Sequence, residues 1–290
     1  MYKEDSMSEL PTTVFGPGAR QVTRIGLGGE GVLRTKNRKA EAREVIHEAI
    51  QQKITYFDTA PAYQDSQSYL GSVWAEQPEV RDAVFQTSKS PGRSYDQAMA
   101  DLDNSLKILN SNHLDLWQIH DLRTWEEARQ IEGAQGALQA FTKAREQGLV
   151  RHIGVTGHHD PDVLGHAVAN WPLDSVLLPA NPAEAILGGF LDGVVSKARE
   201  RKMAVIGMKC LGGGQYVQPD RGISAEMLIR YALNCPVDLI IIGCSSPEQV
   251  KEMVSTSLEW EAGGLDTQRI EEAFRPYAEK LAFYRGTLRT

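Results

Sequence analysis

Short β-rich runs alternating with longer amphipathic segments predict a single α/β domain, a (β/α)8 TIM barrel. Three observations support this. Eight strand candidates occur, at 24–27, 54–58, 83–88, 115–120, 152–156, 175–178, 204–208 and 239–243. They start roughly 20 to 40 residues apart, room for a strand, a helix and two loops each. No linker interrupts them, and eight such units in 290 residues use nearly the whole chain. Runs such as LIII and AVIG are apolar on both faces, as a parallel sheet requires. A doubly wound open sheet meets the same criteria, and periodicity alone does not separate the two.

The elements follow in order. A small hairpin is expected ahead of the barrel, from 14–15 and 21–22 around the turn Gly16-Pro17-Gly18. The segment 37–52 places Ala42, Val45, Ile46, Ala49 and Ile50 on one side of a helix. The segment 94–109 does the same with Tyr95, Met99, Leu102, Leu106 and Leu109. Asp160-Pro161 and Ser246-Pro247 each set a capping residue before a proline at the first helical position. Gln249 stands where it would complete a capping box with Ser246. The barrel core is expected over about 12–257, with one extra helix at about 266–283.

Composition narrows the function classes. The chain is 41% hydrophobic and 24% charged, with a net charge of −7. That apolar fraction excludes wholesale disorder. The acidic balance argues against a nucleic-acid partner. Residues 1–11 carry no apolar secretory core and no Arg-rich transit pattern. The apolar stretch 237–244 is far short of the ~18 residues of a membrane span. Cys210, Cys235 and Cys244 form no CxxC pair, which fits neither a disulfide framework nor an iron–sulfur or zinc site. A reducing cytoplasm is the expected home, with no membrane or metal, and the chain a monomer or weak homo-oligomer.

In a barrel, chemistry collects at the C-terminal strand ends. Asp58 and Tyr63 follow the second candidate strand, Lys89 the third, and His120 ends the fourth. Singly, each has an ordinary structural role open to it. Jointly, three consecutive strands deliver an acid, a phenol, an amine and an imidazole to one rim.

These residues carry a resemblance. Tyr56-Phe57-Asp58-Thr59-Ala60-x-x-Tyr63, followed by Tyr69-Leu70-Gly71, resembles the aldo-keto reductase signature. So does the stretch SYDQAMADLDNSLKILNSNHLDLWQIH, which ends at His120. The segment from Gly148 to Val155, the Leu211-Gly212-Gly213-Gly214 loop and the run from Ile242 to Glu248 are similar to later segments of that family. The resemblance covers about 12–257. It implies a (β/α)8 barrel that reduces a small aldehyde or ketone with a nicotinamide cofactor, usually NADPH, NADH staying compatible. It also implies roles. Tyr63 is the general acid, and Lys89 lowers its pKa. Asp58 fixes Lys89, and His120 orients the carbonyl oxygen.

For the cofactor, the resemblance points to Gly28, Gly29, Thr156, Gly157, His158, Asn181, Met208, Lys209, Leu211, Gly212, Gly214, Gly243, Ser245, Ser246, Gln249 and Glu252. The match is uneven. Thr156-Gly157 replaces the family's Ser-Asn pair, Leu177 its glutamine, and Met208 its stacking tyrosine, so His158 or Thr156 is expected to take over amide recognition. The family's cations for the 2′-phosphate align near Gly243 and Gln249, leaving Lys251 and Lys209 as loose substitutes.

The sequence also admits rival readings. Gly26-x-Gly28-x-x-Gly31 formally matches a dinucleotide fingerprint, but the polar stretch 34–37 makes the helix start too late for a Rossmann unit. His47-Glu48 lacks the second histidine of a zinc helix, and His158-His159 lack a third ligand. A cofactor-sensing subunit with little turnover is the non-enzymatic alternative. Trp125, Tyr216 and Tyr284 in the rim loops and tail point to an apolar carbonyl substrate, and the short tail to an open pocket.

Overall fold

All eight candidate runs become parallel strands, and runs such as LIII and AVIG are buried on both faces as such a sheet requires. The computed structural model describes residues 9–17 and 20–286. Residues 1–8 of the polar N-terminal stretch 1–11 and Gly18 of the predicted turn lie outside the described residues. Strands β1 (Thr12–Val14) and β2 (Gln21–Thr23) pair antiparallel as the expected hairpin.

The barrel then alternates strand and helix. β3 (Ile25–Gly31) leads to α1 (Lys39–Gln51). β4 (Tyr56–Phe57) leads to α2 (Ser66–Glu76) and α3 (Pro78–Ala83). β5 (Phe85–Ser90) precedes α4 (Tyr95–Ile108). β6 (Leu114–Ile119) precedes α5 (Trp125–Glu132) and α6 (Ala137–Glu146). β7 (Val150–Thr156) precedes α7 (Pro161–Asn170). β8 (Ser175–Pro179) is followed by α8 (Pro182–Leu187) and α9 (Val195–Glu200). β9 (Ala204–Met208) leads through a glycine loop to α10 (Ala225–Asn234), and β10 (Leu239–Cys244) to α11 (Pro247–Leu258). The tail holds α12 (Thr267–Phe274) and α13 (Ala278–Leu281).

β10 pairs in parallel with β3 as well as with β9, so the sheet closes. Closure rejects the open-sheet alternative. It also disposes of the fingerprint: Gly26, Gly28 and Gly31 all lie within β3, and α1 starts only at Lys39. Phe15, from the hairpin turn, is fully buried against Phe85 with ring centroids 4.6 Å apart, and so plugs the barrel's N-terminal end.

Capping follows the sequence at Ser94, which accepts the Gln97 N–H, and at Asp160, which accepts from Asp162 and Val163. It departs at α11. Ser246 makes no side-chain cap bond, and Gln249 Oε1 takes the Ser245 N–H at 2.7 Å instead of closing a box with Ser246. The single predicted helix over 266–283 is also corrected. It breaks into α12, a 3-10 turn at Arg275–Tyr277 and α13, because Pro276 supplies no N–H to the helical ladder. Among the described residues, no helix is long and apolar enough to cross a membrane.

Candidate active site

The four rim residues converge. Asp58 directly follows β4, Lys89 lies near the end of β5, and His120 directly follows β6. Tyr63 hangs in the loop between β4 and α2. Lys89 Nζ reaches Asp58 Oδ1 at 2.7 Å, Asp58 Oδ2 at 2.6 Å and the Thr59 carbonyl at 3.0 Å. Both side chains are 1% exposed. A buried charge pair is tolerated only when its remaining valences are satisfied, and here all three ammonium protons have acceptors. Thr87 Oγ1 donates a further bond to Asp58 Oδ1 at 2.9 Å.

Tyr63 lies against this pair. Lys89 Nζ is 4.7 Å from its ring centroid, and the Arg34 guanidinium is 5.0 Å away. The His120 ring stands edge-on to it, 5.5 Å between centroids at 83°. A glycine at 29 is required here, since a Cβ would come within 2.6 Å of Tyr63 Cδ2.

Electrostatics correct one expectation. Burial raises the Tyr63 phenol well above its ordinary value, with Asp58 and Glu30 adding to the shift. The shift is upward although Lys89 Nζ lies 4.7 Å from the ring. Burial, followed by the Lys89 charge, lowers His120 to about 3, so its imidazole is neutral near pH 7. Burial also pushes the Cys210 and Cys244 thiols up to about 12, which leaves them inert as nucleophiles.

Two clefts meet at Tyr63. The first, about 630 Å³, reaches from Asp58 and Tyr63 to the start of α11. Of the residues expected to hold a cofactor, Gly28, Gly29, Met208, Lys209, Leu211, Gly214, Gly243, Ser245, Gln249 and Glu252 line it. The others lie elsewhere. Thr156 and His158 line the second cleft. Thr156 Oγ1 accepts the Asp121 N–H at 2.7 Å. His158 Nδ1 lies 3.2 Å from the Tyr284 carbonyl oxygen, and Nε2 lies 3.2 Å from Asp121 Oδ1, a contact that is an ion pair only when the ring is protonated. Asn181, 1% exposed, caps α8 by accepting the Glu184 N–H. Gly157 packs on Leu164 and the Leu122 carbonyl, and Gly212 under the Tyr216 ring. The Ser246 hydroxyl pairs with Glu248.

The second cleft, about 480 Å³, is ringed by charge: Glu30, Arg34, Arg93, Asp121, Arg123 and Glu127 flank Tyr63 and His120. Sequence reasoning missed these. Glu30 and Asp121 each had a usable signal, being polar residues at a strand's C-terminal end. The aromatic expectation fails here. Trp125 packs on His166 outside both clefts, and Tyr216 is fully buried, bonding the Leu281 carbonyl at 2.6 Å. Of these three aromatics, Tyr284 alone lines the clefts. The tail is not a short open end, because the chain folds back over the mouth. Arg285 Nε bonds Glu184 at 2.7 Å, the Gly286 N–H bonds the His159 carbonyl at 3.0 Å, and Tyr284 stacks under Lys209 Nζ at 4.7 Å.

A nicotinamide dinucleotide fits the first cleft on its donor set. The first turn of α11 lacks a side-chain cap beside Ser245 and Gln249, leaving N–H groups for phosphate. Gly214, with a positive φ of 89°, has open space where a Cβ would stand. The volume lies within the ~300–1,000 Å³ usual for ligand sites.

Known proteins agree with this architecture. An aldo-keto reductase of Bacillus halodurans, solved in its holo form, superposes with a TM-score of 0.73 at 18% identity, covering 94% of this chain and 96% of that one. A 6-dehydroglucose reductase of Novosphingobium aromaticivorans is 28% identical over 242 residues, 73% of this chain and 74% of its own. An L-galactose dehydrogenase of Arabidopsis thaliana is 23% identical over 310 residues, 92% of this chain and 94% of its own. The family model described as Aldo/keto reductase family matches residues 24–221. That match runs from β3 through β9 and takes in every strand end that delivers a member of the rim tetrad, so this chain belongs to the aldo/keto reductase family.

Proposed function

We propose that this protein reversibly reduces a small, polar, hydroxyl-bearing carbonyl compound to its alcohol, with Tyr63 as proton donor. The observation that carries the chemistry is the phenol held between the pinned Lys89–Asp58 pair and a neutral His120. When bound, the nicotinamide cofactor supplies a hydride to the carbonyl carbon. Gly28, Gly29, Met208, Gly243, Ser245 and Gln249 are the residues that would hold it.

The chain's own residues do the rest. His120, neutral, donates one N–H to the carbonyl oxygen and stabilises charge building there. Tyr63 O–H passes its proton to that oxygen. A raised phenol pKa suits this task, since the donor stays protonated at neutral pH and the acceptor, an alkoxide, is a far stronger base than a phenolate. Lys89 then faces the phenolate left behind. Asp58 keeps the ammonium in register. In the oxidative direction Tyr63 is the base.

The substrate reading replaces the apolar one. The paired charges around the second cleft alternate donors and acceptors, and an apolar ligand would desolvate them without return. A hydroxylated carbonyl offers both partners at each carbon. Two of the similar proteins are named for sugar substrates, which supports this reading.

The test is oxidation of NADH and NADPH with polyhydroxy aldehydes against apolar aldehydes of equal size. Expected is turnover favouring the hydroxylated series, falling about 10²–10⁴-fold in Tyr63→Phe. Cofactor binding without Tyr63-dependent turnover would favour a sensing role instead.

A further inference from the structure

The carboxylate that pins Lys89 has one further donor. Asp58 Oδ1 accepts from Lys89 Nζ at 2.7 Å and from Thr87 Oγ1 at 2.9 Å, while Oδ2 accepts from Lys89 at 2.6 Å. Among the described residues, Thr87 is the one side-chain donor to this carboxylate other than Lys89. Thr87 stands two residues before Lys89 on β5, so both side chains project to the same inner face of the barrel. It is fully buried. The other charged or titratable groups that face the pair are Tyr56 from β4, Tyr63 from the loop after it, His120 beyond β6, Glu30 from β3 and Lys209 just after β9.

A salt bridge removed from water has a neutral alternative. Lys89 can pass one proton to Asp58, leaving an amine and a carboxylic acid with no charge to bury. Burial already lowers Lys89 below the ordinary lysine value, against the pull of Asp58. A hydroxyl that donates to a carboxylate favours the ionised form, because a charged oxygen is the stronger acceptor. We infer that Thr87 is a positioning residue whose hydroxyl keeps Asp58 ionised, and so keeps Lys89 an ammonium facing Tyr63. The step it serves is the proton transfer. When Tyr63 O–H gives its proton to the carbonyl oxygen, the phenolate left behind faces Lys89, whose Nζ lies 4.7 Å from the ring centroid. An ammonium there stabilises the phenolate, and a neutral amine does not. Thr87's part in turnover rests on the carbonyl-reductase reading above; its hold on the charge of the pair does not.

Nuclear magnetic resonance of the Lys89 side-chain nitrogen, assigned by its loss in Lys89→Met, tests this on the protein without cofactor. Thr87→Val removes the hydroxyl and keeps the branched shape. It is expected to lower the pH at which Lys89 loses its proton by roughly one unit or more, the worth of a hydrogen bond to a charged group. Thr87→Ser, which restores a hydroxyl, should return the titration to its native position. Thr87→Ala is a second hydroxyl-free variant should the valine protein not fold. Carbonyl reduction in Thr87→Val should fall about tenfold in kcat with KM little changed, and recover in Thr87→Ser. A Lys89 titration that stays in place in the hydroxyl-free variants overturns the assignment, as does a native Lys89 already neutral at pH 7. Absence of Tyr63-dependent turnover in the native chain would instead overturn the carbonyl-reductase reading, and Thr87's part in turnover with it, while a shifted Lys89 titration would still uphold the hold on the pair.

Discussion

Lys89 and Tyr63 show how burial sets a proton donor. Lys89 is fully enclosed, and its three protons are committed to Asp58 and the Thr59 carbonyl. Burial decides the phenol and raises it. His120 goes the other way, to about 3, since burial penalises the imidazolium. The signs fix the pH dependence. The acid form of Tyr63 persists up to and beyond about pH 10, its unperturbed value, and neutral His120 persists down to about 3. For carbonyl reduction, kcat/KM should be flat between about pH 6 and 9, without the histidine step that an unperturbed imidazole near ~6.5 would impose. A drop in rate with a midpoint near neutrality, lost in His120→Asn, would contradict this. These four positions were legible because Asp58, Lys89 and His120 stand at strand ends and Tyr63 in the loop after the first of them, within 63 residues of chain.

At the scale of elements, the glycine of the Tyr69-Leu70-Gly71 stretch has a packing cause. A Cβ at Gly71 would overlap the Ile108 carbonyl oxygen, so α2 and the end of α4 meet here through a residue without a side chain. The Asn110 side chain bonds the Gly71 carbonyl at 3.0 Å and closes the same junction. Gly71→Ala should therefore lower unfolding free energy by about 1–3 kcal/mol, the usual cost of overpacking. Urea denaturation followed by circular dichroism measures it, and an unchanged midpoint would refute the tight crossing. Helix positions were readable from periodicity, as α1 and α4 show. Where periodicity was followed past Pro276, it misled, because the apolar pattern continues while the hydrogen-bond ladder cannot.

Across the whole molecule, a buried carboxylate ties the N-terminal face of the barrel. Asp115, fully buried on β6, accepts from Arg81 and Arg151 at 3.1 Å each, from Arg20 and from the Gln86 N–H at 2.9 Å. Its partners come from the hairpin, α3, β5 and β7. Asp115→Ala would leave a buried cation, Arg81, without its counterion, and should cost about 3–5 kcal/mol. Thermal unfolding is the measurement, and a shift of only a degree or two would show the network to be ornamental. This face lies opposite the clefts, so ligand binding in the surviving folded fraction should be retained. At the other face, the Arg285–Glu184 pair brings Tyr284 across the mouth from the far end of the chain.

The sequence by itself determined the alternation of strands and helices, the acid–phenol–amine–imidazole set and the family. Those signals are local, written in periodicity, capping residues and short motifs. Tertiary structure alone decided that the sheet closes, since closure is a pairing of β10 with β3 across more than 200 residues. It also decided the character of both clefts. Glu30, Arg34 and Tyr284 share one wall although the tail residue lies some 250 positions away, and Lys209 and Lys251, both cations in sequence, are each claimed by a carboxylate that no local pattern connects to them. A side chain's charge is fixed by its type, but its availability depends on which opposite charge the fold brings beside it.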